Sequence, residues 1–249
     1  MEIYKVINKW FEETLNKFIK DVSPEYPVNR FLLSSLLALK KYSLASLTLI
    51  KNDHKMPTKA LLRIMIEFLT KLTWCLGIHE KQIKNRVKTV EMRRKRWWKA
   101  TVLHRINEIK NWTNVSDRLL RRQVESELHQ LMEMKTQYEE DIEPMPLKFF
   151  KLLNELPDEY RNDVYPRFYL KYNDAIHLDD ATLGLLVRKE GENVTYYEDS
   201  QDSSDELLKQ VVYCALMINN WVRTYYGWDT KQMRQEHESL LKKLSPKET

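Results

Sequence analysis

The chain is poor in residues that make tight turns, with 4 glycines and 8 prolines in 249 residues. An all-β protein or a nucleotide-binding sheet spends glycine at its hairpins and phosphate loops, so both classes are disfavoured. No GxxxxGK[ST], GxGxxG or GxSxG string occurs, which removes the signatures of P-loop NTPases, dinucleotide-binding folds and α/β-hydrolases. Two cysteines, Cys75 and Cys214, lie far apart within apolar stretches and are expected to be buried, reduced thiols, which fits a cytoplasmic protein. His177, Asp179 and Asp180 are neighbours in sequence, but no second cluster of ligands completes a metal site, and no metal or other cofactor is expected. The first residues, MEIYKVINKWFEETLNKF, carry charge throughout and lack the apolar core of a secretory signal. The longest apolar stretch, FLLSSLLALKKYSLASLTLI, is interrupted by Lys40 and Lys41, so no membrane partner is expected.

What remains is material for helices: 43% hydrophobic and 31% charged residues, with a mild net charge of +5. The fold class expected is all-α, a helical bundle with a long charged helical arm and a small β-hairpin before the last core helix. One domain spans 1–249, with a core at about 1–78 and 146–227, the arm at about 79–142 and the hairpin at about 183–198. A charged helix and tail occupy 228–249. Apolar spacing predicts helices over 2–21 and 28–51, and a third framed by Pro57 and Gly77. Residues 79–110 and 116–142 form the arm, the latter opened by Ser116 as N-cap, and 158–178 make a further core helix. Ser204 or Asp205 caps the last core helix and Gly227 ends it.

Three stretches carry candidate chemistry. On the third helix Arg63, Glu67, Thr70, Lys71 and Trp74 form one polar stripe amid leucines and isoleucines. Either the stripe faces solvent, or Arg63 and Glu67 turn inward as a pair. In RFYLKYNDAIHLDD, Asn173, Asp174 and His177 share an end-face that Tyr169 extends. His177 there could move a proton with Asp174 orienting its ring, or could simply pack near a helix C-terminus. In KNRVKTVEMRRKRWWKA, Arg93, Arg94, Lys95, Arg96 and Lys99 surround Trp97 and Trp98. Cations for phosphates beside indoles for unpaired bases suit single-stranded nucleic acid. A solvated basic face with buried tryptophan is the alternative, as is contact with a protein partner.

LLRIMIEFLTKLTW followed by YLKYNDAIHLDD, a hairpin-like stretch and a closing helix with Trp221 resembles the bacterial helical proteins grouped as domain of unknown function 5677. The resemblance covers roughly residues 30 to 225 and places the family's R-x-x-x-E mark at Arg63 and Glu67 and its second mark at Tyr169, Asp174 and His177. That layout is similar to HEPN-type domains, many of them metal-independent ribonucleases of toxin–antitoxin and antiviral defence systems. The resemblance implies an endoribonuclease in which His177 moves the proton, Asp174 orients it and Arg63, held by Glu67, stabilises charge on phosphate, while the basic helix around Arg93 to Lys99 guides the strand across a homodimer. Six residues before His177 this chain carries Lys171 where those domains carry arginine, leaving Arg63 to supply the charge. The alternative is a non-catalytic helical module, binding protein or nucleic acid, in which Arg63, Glu67 and His177 form a structural polar network.

Overall fold

A computed structural model describes residues 2–78, 86–111, 117–136, 142–146, 148–158, 161–162, 187–190, 193–196 and 203–244. In chain order the helices are α1 (Glu2–Asp21), α2 (Pro27–Lys51), α3 (Lys55–Leu76), α4 (Arg86–Lys110), α5 (Arg118–Thr136) and the short α6 (Phe149–Leu153). Strands β1 (Val187–Glu190) and β2 (Asn193–Tyr196) precede α7 (Ser204–Tyr225) and α8 (Lys231–Leu244). The described residues are predominantly helical, as the glycine-poor composition requires. Two compact units divide the chain: Met1–Thr73 with Asp158–Thr249, and Trp74–Pro157.

The first unit is built on α2 and α7, which run against each other and against α1. Antiparallel order follows from two bonds: Tyr226 Oη donates to Asn29 at 2.7 Å, and Ser204 Oγ lies 3.3 Å from Asp53. α1 buries Ile7, Trp10, Phe11, Thr14, Leu15 and Phe18, a helical stripe one face wide. By length and composition α2 alone among the described helices is apolar enough to cross a membrane. Its Leu32, Leu36, Leu39 and Leu47 are nevertheless buried within the unit, and its Lys40 is ion-paired with Glu12 of α1. Those contacts are what a core helix makes. Small Ser43 and Ser46 are also fully buried, with hydroxyls that find no hydrogen-bond partner among the described residues.

Helix ends follow local chemistry. Ser203, one residue earlier than expected, caps α7 by accepting the Glu206 N–H at 3.1 Å. Gly227, with φ +70°, lets the chain turn so that Trp228 N–H reaches the Arg223 carbonyl at 2.8 Å. Ser203→Ala should cost about 1 kcal/mol. The check is a fall of about 2–4 °C in thermal midpoint. α8 is fastened to α1 through Glu236, which accepts from Lys9 Nζ at 2.6 Å and from the Trp10 indole N–H at 2.7 Å. β1 and β2 pair antiparallel, Val187 opposite Tyr196 and Glu190 opposite Asn193.

In the second unit α4 and α5 pack together, and Val102, Ile106 and Ile109 of α4 are buried. α5 buries no residue, the mark of a helix covered on one side only. The Asp117 carboxylate caps the start of α5, accepting from Leu119 and Leu120 N–H at 2.8 and 2.9 Å. Ser116 lies outside the described residues.

Candidate functional site

The third helix decides one of the open alternatives. Apolar neighbours flank its polar stripe closely, and Arg63 is only 4% exposed, so it does not face solvent. Its Nε donates to Glu67 Oε1 at 3.1 Å across one helical turn. Glu67 lies nearer the surface, its side chain 32% exposed, so the carboxylate links a buried cation to water. Lys59, one turn before Arg63, is 8% exposed and was not anticipated. Its spacing of four from Arg63 is the signal that would have found it. Thr58, Thr70 and Thr73 are fully buried and return their hydroxyls to the carbonyls of His54, Ile66 and Leu69. Tyr169, Asp174 and His177, the other residues assigned to this chemistry, lie outside the described residues.

The basic run on α4 divides into two sets. Arg93 and Arg96 turn toward Trp74, their guanidinium carbons 5.7 and 5.1 Å from its ring centre. Arg93 also donates to the Trp74 carbonyl at 3.1 Å, and Arg96 Nε donates to the Glu143 carbonyl at 2.9 Å. Trp74 itself is buried and gives its indole N–H to Glu155 at 2.6 Å. The Met145 N–H completes the arrangement by donating to the Arg96 carbonyl at 3.1 Å. These contacts tie Glu143 and Met145 to α4 and Glu155 to Trp74, so two of the expected phosphate ligands serve the packing of their own unit. Arg94 makes a two-pronged contact with Glu91, at 3.0 and 2.7 Å.

The second set points elsewhere. Trp98 is 40% exposed, an unusual place for an indole, while Lys95, Trp97 and Lys99 are half-buried around it. Arg94 and Lys95 precede Trp98 by four and three residues and therefore share its side of the helix. Arg86 and Lys88 at the start of α4 are exposed. The exposed groups of α4 thus include one indole, Trp98, and the two cations Arg86 and Lys88.

Neither cysteine offers a nucleophile. Burial pushes the thiols of Cys75 and Cys214 up to about 12, so both stay protonated near neutrality. Among the described residues no three histidine, cysteine or acidic side chains come together in a way that would hold a metal ion. No protein-family model matches the chain, and no curated protein or solved structure shows significant similarity to it.

Proposed function

We propose that the chain is a helical module that binds single-stranded nucleic acid through α4, with Arg63 and Glu67 serving its structure. In this reading the first unit is the helical bundle and α4 with α5 the charged arm. The carrying observation is Trp98, exposed on a basic helix. A ring held on a rigid helix can stack on an unpaired base, while Arg86 and Lys88, exposed at the start of the same helix, attract the strand's phosphates. Removing such a ring costs about 1–3 kcal/mol of binding. Trp98→Ala should therefore weaken a labelled single-stranded RNA oligonucleotide by about tenfold, read by fluorescence anisotropy. Affinity should also fall as salt rises, because counterions return to the released phosphates. Binding that is unchanged in Trp98→Ala overturns the proposal.

A second reading keeps the metal-independent ribonuclease or toxin-type effector of a defence system. It is favoured by the contact between Arg63 and Glu67 at 3.1 Å, the pair to which that reading assigns charge stabilisation. It requires RNA cleavage that needs His177. Cleavage of RNA by the wild type and its loss in a folded His177→Ala chain would replace the binding-module reading, whereas cleavage retained in His177→Ala removes the assigned catalyst.

A further inference from the structure

We propose that His237 is an acid-operated release for α8: a proton on its ring frees the helix from α1 and α7. α8 docks through Met233 and Leu240, both buried, and His237 lies between them at the same spacing, i, i+4 and i+7. The ring is half-buried, and its Nε2 is enclosed without a hydrogen-bond partner among the described residues. A neutral imidazole can leave one nitrogen unprotonated against an apolar wall. A charged imidazolium has two N–H donors, and one would be buried with no acceptor among the described residues.

The surrounding charges do not offset that cost. Lys9 of α1 is taken by Glu236, and Glu2 of α1 holds Lys243 at 2.7 Å. Arg223 of α7 is engaged by Thr14, Glu13 and the Asp229 carbonyl. On α8 itself Arg234 bonds Asn220, and Glu238, exposed to water, is the one carboxylate that favours a charged ring. Burial outweighs it and holds the ring below its ordinary 6.5.

The direction of the effect follows from that depression. The released ring binds a proton more readily than the docked one, so docking is at full strength above pH 6.5 and weakens as pH falls below it. The undocked population then rises by up to about tenfold per pH unit. Glu236 does not confuse this window. Burial raises its carboxyl, but the hydrogen bonds from Lys9, Trp10 and Gln232 outweigh that and keep it below 4.5, so it stays ionised.

The experiment is hydrogen exchange of the full chain at about pH 7.5 and about pH 5.5, corrected for intrinsic rates, with α2 as internal reference. Exchange in α8 relative to α2 is expected to rise at the lower pH in the wild type, by up to about tenfold. It should stay level in both His237→Gln and His237→Leu, neither of which can take the proton. Equal protection of α8 at the two pH values overturns the proposal. So does the same rise in both variants, or a rise shared equally by α2, which would mark global unfolding.

Discussion

Arg63→Ala should destabilise the first unit by about 3 kcal/mol, lowering the thermal midpoint by about 6–12 °C. The side chain is 4% exposed, so its removal leaves a void among packed neighbours as well as a carboxylate without its bond. Breaking a buried pair costs more than the pair contributes, because the unmade partner keeps its desolvation penalty. The same physics predicts recovery. In Arg63→Met with Glu67→Leu, apolar groups of similar volume replace the ions, and most of the lost stability should return. A structural role therefore predicts that the double variant melts near the wild type and still binds RNA. If the pair instead stabilises charge on a phosphate, cleavage disappears in that variant although the fold is restored. Circular dichroism melts and an RNA degradation assay on the same samples separate the two.

How far the sequence could be read depended on whether local physics was sufficient. α1, α2, α7 and α8 emerge within a few residues of their expected limits, since each carries a continuous apolar stripe and a recognisable stop. α3 begins at Lys55, two residues before Pro57, because proline is tolerated throughout the first turn, where its missing N–H has no partner to lose. The cap of α7 moved by one residue for a similarly local reason: Ser203, Ser204 and Asp205 are all competent acceptors, and backbone geometry chooses among them. Side-chain roles were less legible. The spacing put Arg63 and Glu67 on one face but left inward and outward orientations open, because burial depends on which helices cover that face. The basic run of α4 reads as a uniform patch, yet Arg93 and Arg96 wrap Trp74 while Trp98 is exposed. That division is tertiary: it requires Trp74 and Glu143, 19 residues before Arg93 and 47 after Arg96, to arrive beside the same helix. Neither separation leaves a periodic trace in the sequence.

Trp74→Ala is expected to be the most damaging single change in the second unit, costing about 3–5 kcal/mol. The indole is buried, and three groups are organised around it: the Glu155 carboxylate at 2.6 Å and the Arg93 and Arg96 guanidiniums over its face. Truncation leaves Glu155 without its donor and both cations without the ring, while the Arg93 bond to the Trp74 backbone carbonyl persists. Trp74→Phe separates these contributions. A phenyl ring retains a face for the cations but has no N–H, so it should lose only the charge-assisted hydrogen bond, about 1.5–3 kcal/mol. Hydrogen exchange should rank the wild type above Trp74→Phe and Trp74→Phe above Trp74→Ala in protection of α4 and of residues 148–156, with α2 unaffected. If protection in α4 is the same in all three chains, Trp74 does not organise this unit.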